Sequence, residues 1–385
     1  MKCESLPSGK EIARETSCGG SKRIPTLLSL VIAGLPLAAA PLQAGDRFLP
    51  ADDSRLSYSD YVRIEFIPAA DAPERKRARF DRLAGPAAKG YQWDNPGTRL
   101  RFRTDAESVT VHLYYNEKHV STSARNSVGR YLIDNRAEDA WAFATAQTGV
   151  LREPETVRVP IRTPAPGFHD YEIVLPYGDS VDVLGVSAPA DARFEAPTPR
   201  PAHRLVAYGD SITHGFTASD VTKTYGYLLA RAKNWQLINM GIGGRGSAAE
   251  NGALIGQQKG DVVSVLIGAN DWQGGRPPAV FRTNMDGFLD QLRKLQPDVP
   301  VFLITPLWVP PSWKPEKAMA DLEMYRQALR DLVTERKDPN LLLIEGPSLI
   351  DQESRYFDRV AVHPNDAGFA QMAERLIRAV PWTGR

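Results

Sequence analysis

Cysteine is almost missing from this chain. The two present among 385 residues, Cys3 and Cys18, both precede the first segment with folded patterning, so the body of the protein has no disulfide and no thiolate chemistry. An excess of charge of one sign is missing too: 47 Lys and Arg stand against 46 Asp and Glu, a formal net charge of +1. No long basic run breaks that balance, which argues against a nucleic-acid partner. There is no phosphate-binding loop of the Walker type and no His/Cys/Asp cluster with metal-ligand spacing, so no cofactor and no metal are implied. Long apolar runs are also lacking. Ile24–Ala40 is interrupted by Pro25 and Pro36, whereas a membrane span needs roughly 20 apolar residues, so no stable membrane insertion is expected.

What that apolar run does resemble is an export signal. Lys22-Arg23 lead into it and Leu42-Gln43-Ala44 follow as a cleavage site, which marks residues 1–44 as a signal peptide and the location as periplasmic or secreted. A lipid-anchored form is not expected, because no cysteine follows the run. With an apolar fraction of 42%, the remainder is long enough for two cores.

Residues 45–195 carry period-two alternation and turn residues with little helical patterning. Tyr61–Phe66, Thr98–Phe102, Val109–Leu113, Arg130–Ile133, Val157–Ile161 and Tyr171–Leu175 read as half-buried strands, and together they predict a β-sandwich of jelly-roll type. The charged stretch Arg75–Arg82 reads as a solvated loop. A Pro-rich linker, 196–203, closes this half.

From 204 to 385 the pattern changes. Short apolar strands at Leu205–Tyr208, Gln236–Met240, Val262–Ile267, Val301–Ile304 and Leu341–Ile344 alternate with helical segments, including Thr224–Ala232, Pro278–Leu295, Pro315–Arg336 and Asp366–Val380. Such alternation predicts an α/β domain: a parallel sheet with helices on both faces, whose ligand sites lie beyond the carboxyl ends of the strands.

Four segments fall at those ends. Tyr208-Gly209-Asp210-Ser211 puts Ser211 on a strand-to-helix turn, where a hydroxyl is presented beside free backbone N–H groups. Gly241-Ile242-Gly243-Gly244 is a turn whose backbone can approach a ligand closely. Gly268-Ala269-Asn270-Asp271 offers the side-chain amide of Asn270, and Val362-His363-Pro364-Asn365 offers an imidazole just before a helix. Each alone is readable as an ordinary turn. Together they supply a nucleophile, Ser211, oxyanion donors at Gly244 and Asn270, and a base, His363.

These four blocks, in this order, resemble the SGNH or GDSL-type hydrolase superfamily. The resemblance covers Leu205 to the C-terminus and implies a flavodoxin-like sheet. A β-sandwich in front of such a domain is similar to carbohydrate esterase family two. The resemblance implies that Ser211 attacks an ester carbonyl while His363 takes its proton, with the N–H of Ser211, the N–H of Gly244 and the Asn270 amide around the oxyanion. One departure stands out. The family usually has Asp three residues before the histidine, and here that position is Val360. Asp358, five residues before His363, is favoured as the orienting acid over Asp351 and Asp366, and a backbone carbonyl is the other arrangement that the resemblance allows.

His214, three residues after Ser211, reads as lining the site, and Arg245 as solvated. Trp272, Trp308 and Trp313 either stack on a sugar ring or pack beneath a loop, and Trp272 and Trp308 are taken with His214 as the substrate-binding residues. The expected protein is an exported serine esterase that removes acetyl or other short acyl groups from carbohydrates. The alternatives are a lipase or thioesterase acting on lipid-like esters and a glycan-binding protein whose active site has decayed.

Overall fold

The computed structural model describes residues 45–70, 72–83, 90–121, 123–136, 141–145, 153–200, 202–358 and 362–380. The export signal and Val360 lie outside the described residues. Among those described, no helix is long and apolar enough to cross a membrane.

The first half is built from strands. In chain order they are β1 (Arg47–Pro50), β2 (Ser57–Ser59), β3 (Arg63–Pro68), β4 (Lys76–Asp81), β5 (Arg99–Thr104), β6 (Ser108–Tyr115), β7 (Gly129–Ile133), β8 (Trp141–Phe143), β9 (Glu155–Arg162), β10 (His169–Val174), β11 (Val181–Ala188) and β12 (Phe194–Glu195). They form two antiparallel sheets, ordered β3-β4-β11-β6-β9 with β1 on β11, and β12-β5-β10-β7-β8 with β2 on β5. Alternation explains why the sheets face each other. Val111 and Leu113 of one and Leu100, Phe102, Tyr171 and Ile173 of the other turn inwards into a single core, so the sheets make a sandwich.

Two expectations for this half need correction. The stretch Arg75–Arg82 is not a solvated loop, because most of it forms strand β4. Arg77, Arg79 and Asp81 lie on one face, where Arg77 and Arg79 meet the buried Asp182 of β11 at 3.3 and 2.9 Å, while Ala78 and Phe80 on the other face enter the core. Strand β11 itself, central to its sheet, was hidden by Asp182 and by Gly185, where the pairing with β6 shifts register.

The second half has five parallel strands: β13 (Arg204–Gly209), β14 (Gln236–Gly241), β15 (Val262–Leu266), β16 (Val301–Ile304) and β17 (Leu341–Ile344). Their order, β14-β13-β15-β16-β17, is that of a doubly wound sheet whose winding direction reverses beside β13. Successive residues of β13 enter opposite cores: Leu205 and Ala207 on one face, Val206 and Tyr208 on the other. Helices α2 (Tyr225–Lys233) and α7 (Asp366–Ala379) cover the first face. Helices α3 (Asn251–Gly256), α5 (Pro278–Leu295) and α6 (Leu322–Arg336) cover the second, and the short α1 (Ser211–His214) and α4 (Ala269–Gln273) begin at strand ends. Helix α5 illustrates the logic. Phe281, Met285, Phe288, Leu289 and Leu292 recur at helical spacing and are buried, each contributing roughly 1.5–3 kcal/mol, and Pro278 starts the helix where its missing N–H costs nothing. Helix α6 starts at Leu322 rather than at Pro315, since Asp321 before it is extended.

The halves are tied by buried polar contacts. The Leu237 N–H donates to Asp60 at 2.5 Å, Arg130 pairs with Asp220 at 2.7 Å, and the Arg99 guanidinium lies 4.9 Å from the centre of the Tyr227 ring. The link between them is pinned on both sides, with the Thr198 N–H on Asp170 and Arg200 on the Trp235 carbonyl.

Candidate active site

Ser211 opens α1 directly beyond β13 at the winding reversal. Asp210 caps that helix by accepting the Ile212 N–H at 2.9 Å, so the Ser211 N–H at the first helical position keeps no intrahelical partner. The Ser211 Oγ lies 2.8 Å from His363 Nε2. His363 arrives on a closed loop in which Phe357 bridges Pro364 and the Asp358 N–H donates to the His363 carbonyl at 2.8 Å. Asn365 then caps α7 through the Ala367 and Gly368 N–H groups while its own amide holds the Arg355 and Phe357 carbonyls.

That closure makes the five-residue spacing workable, because it turns the Asp358 carboxylate towards the ring. Asp358 Oδ2 sits 3.3 Å from His363 Nδ1, and Oδ1 accepts the Val362 and His363 N–H groups at 3.1 and 3.4 Å. Burial opposes a charge on Asp358, but the His363 side chain and these N–H groups outweigh it and hold the carboxyl below its ordinary range. Asp351 lies elsewhere, bonded to Gln371 and Arg375, and Asp366 accepts the Ser219 N–H.

The donors differ in readiness. Gly244 is exposed at φ +77, and its N–H, like that of Ser211, has no partner among the described residues. Asn270 is nearby but engaged. Its Nδ2 donates to Asp210 Oδ2 at 3.2 Å and to the Arg245 carbonyl at 3.1 Å.

Asp210 carries a cost. Full burial pushes its pKa from 3.8 up to about 6, against the opposing pull of the Ile212 N–H and His363. The folded state therefore binds this proton more tightly than the unfolded chain, so the group stabilises the fold most below pH 3.8 and that stability is lost as pH rises through about 6. We expect Asp210→Asn to lack this loss. Denaturant midpoints for the two proteins should diverge in the variant's favour between pH 3.8 and about 6 and stay parallel outside that window.

Three sequence expectations are corrected here. His214 does not line an open site. It is fully buried, with Nε2 2.5 Å from the Tyr177 carbonyl and 3.1 Å from Asp94, and burial followed by nearby Arg82 drives its pKa down to about 4. Arg245 is not solvated, since it donates to the Met240 carbonyl and lies over the Tyr208 ring. Trp272 is buried, donates to the Ala320 carbonyl and packs edge-on against Trp313. Trp308 and Trp313 remain half-exposed. They line a cleft of about 750 Å³ with Trp272, Pro310 and Pro311, and Trp308 packs on Phe357, the residue before Asp358.

Sequence reasoning missed what the sandwich half brings to this place. Asp94 is buried between His119, at 2.5 Å, and His214, and Tyr91 meets His119, His214 and Phe216 edge-on. Nothing local in the chain marks His119, Asp94 or Tyr91.

A serine on a strand-to-helix turn, hydrogen bonded to an imidazole that faces a carboxylate at the rim of a doubly wound sheet, defines a domain of the serine-hydrolase class. Residues 207–371, which carry Ser211, Asn270 and His363, match the GDSL-like Lipase/Acylhydrolase family. The whole fold has counterparts among solved structures. The salicylyl-acyltransferase SsfX3 from a tetracycline biosynthetic pathway aligns with a TM-score of 0.70 at 21% identity, covering 87% of this chain and 97% of that one. A putative GDSL-like lipase from Bacteroides ovatus ATCC 8483 gives 0.67 at 19%, covering 87% and 96%. A family two carbohydrate esterase from Cellvibrio japonicus gives 0.62 at 16%, covering 87% and 96%. These likenesses describe the fold, with its sandwich and its hydrolase domain. No curated protein matches in sequence.

Proposed function

We propose that the protein is an exported serine esterase that removes acetyl or other short acyl groups from carbohydrates. The observation that carries this reading is the continuous chain Ser211–His363–Asp358, together with the Ser211 N–H and, on the loop after the neighbouring strand β14, the Gly244 N–H, both without a partner among the described residues. Ser211 Oγ attacks the ester carbonyl as His363 Nε2 accepts its proton, and Asp358 holds Nδ1–H and balances the imidazolium. The oxyanion is received by the N–H groups of Ser211 and Gly244. Asn270 joins them by giving up one of its two present partners. The tetrahedral intermediate collapses to an acyl-Ser211, and the departing alcohol takes the proton from His363. Water then adds to the acyl group with His363 again as base.

The substrate class is supported by the half-exposed Trp308 and Trp313, flat faces suited to a sugar ring, and by a two-part fold like that of family two carbohydrate esterases. The proposed location rests on the sequence pattern from Lys22 to Ala44, and the proposed division places the accessory sandwich at 45–195, the linker at 196–203 and the hydrolase domain at 204–385.

Hydrolysis of p-nitrophenyl acetate, butyrate and octanoate, alongside acetate release from acetylated xylan, tests the reading. We expect a preference for acetate together with release from the polysaccharide. A preference for octanoate with none released would replace it with a lipid-directed esterase.

A further inference from the structure

The sandwich half reaches the hydrolase site through the short turn Tyr91–Trp93 and Asp94 after it. This turn is fastened from below. Arg82 donates to the Tyr91 carbonyl and, at 2.6 Å, to the carbonyl of Gly241 at the end of β14, so one guanidinium joins the turn to the start of the glycine loop. Asp94 is fully buried and lies between His119 of the sandwich and His214 at the end of the nucleophile helix. A turn held by a buried guanidinium and a buried carboxylate fixes the direction of the side chain it carries.

That side chain is Tyr91. Its ring is half-exposed, and its hydroxyl makes no hydrogen bond among the described residues. A Cβ on Gly243 would stand 3.1 Å from Tyr91 Cε2 and 3.0 Å from Phe216 Cζ, so glycine at that position leaves room for these two rings. Gly243 directly precedes Gly244, whose N–H is one of the two free donors. Phe216 in turn has its ring centre 5.9 Å from that of Tyr91 and 6.1 Å from that of His363. Tyr91 is thus one residue from the oxyanion loop donor and one ring from the catalytic base.

Building on the assignment of Ser211 and His363, the chemistry fixes which part of a substrate passes nearby. His363 must return its proton to the leaving oxygen, so the alcohol portion of the ester lies against His363 and the rings that continue from it. We infer that Tyr91, contributed by the β-sandwich, lines the leaving-alcohol subsite and favours esters of ring-bearing polyhydroxy alcohols over esters of small alcohols. The ring face packs on a sugar and the free hydroxyl bonds to one of its hydroxyls. The sandwich then contributes to specificity as well as supporting its neighbour.

The test compares glucose pentaacetate with ethyl acetate in the full protein and in its Tyr91→Ala and Tyr91→Phe variants. In Tyr91→Ala, KM for the sugar ester should rise about tenfold, while kcat for both esters and KM for ethyl acetate stay within about twofold. Tyr91→Phe keeps the ring and should recover most of the lost affinity. Equal losses on both esters would make Tyr91 a packing residue and overturn the inference. So would unchanged KM values, or a wild type without preference for the sugar ester. Persistence of turnover in Ser211→Ala would instead remove the catalytic assignment on which the subsite rests, an outcome that the Tyr91 variants cannot mimic.

Discussion

Ser211→Ala should reduce ester turnover by about a millionfold in kcat while leaving the fold intact. On the proposed mechanism the substitution removes the atom that forms the acyl-enzyme, leaving His363 and the oxyanion donors no covalent step to assist. What survives is the modest acceleration from binding and from the N–H groups of the 211 and 244 positions acting on water. Stability should change little. Ser211 is 8% exposed and its side-chain bond runs to the His363 ring, which is half-exposed and is held by Asp358 without help from Ser211. Circular dichroism with a denaturant midpoint, measured beside the rate, separates loss of chemistry from loss of fold. Turnover within tenfold of the parent protein would mean that another group carries the acyl transfer.

Asp358→Asn should cost about 10,000-fold in kcat, a large effect for an exchange that hardly changes shape. The reason is tautomeric. Asp358 Oδ1 accepts two backbone N–H groups and Oδ2 accepts from His363 Nδ1. An asparagine would keep its oxygen on the backbone N–H groups and turn its NH₂ towards the ring. Nδ1 must then be the acceptor and Nε2 the protonated nitrogen. Nε2–H would donate to Ser211 Oγ, the reverse of what a base requires. KM should barely move, because Asp358 stands behind His363 at Nδ1, on the side of the ring away from Ser211. A loss under tenfold would shift the orienting role to a backbone carbonyl, the arrangement that the sequence also leaves open.

The parallel sheet was readable because its strands are short apolar runs between strongly amphipathic helices. Val301–Ile304, Leu341–Ile344 and Pro278–Leu295 come out with the bounds that their patterns indicate. The sandwich was less readable wherever charge entered a strand. Arg77 and Arg79 look solvated in the chain, and only the fold supplies Asp182 as their partner. The site follows the same division. Ser211 and His363 lie 152 residues apart, yet each is marked by its own turn, and the sheet brings them to 2.8 Å. Asp358 was harder, since its use depends on the bridge between Phe357 and Pro364 that no spacing rule foresees. His214 misled because nearness to Ser211 in sequence says nothing about depth, and the helix of four residues points it into the protein. Tyr91 and Asp94 carried no signal, because their role depends on how the two halves pack.

The central claim is that Ser211 is the nucleophile, and covalent trapping tests it most directly. The protein is treated with a serine-directed organophosphate, its residual esterase activity is followed, and the digested protein is weighed peptide by peptide. A single adduct on the peptide containing Ser211, formed in step with loss of activity and absent from the Ser211→Ala variant, is the expected result. Complete loss of activity with the label on a different residue, or full labelling of Ser211 with activity retained, would contradict the account.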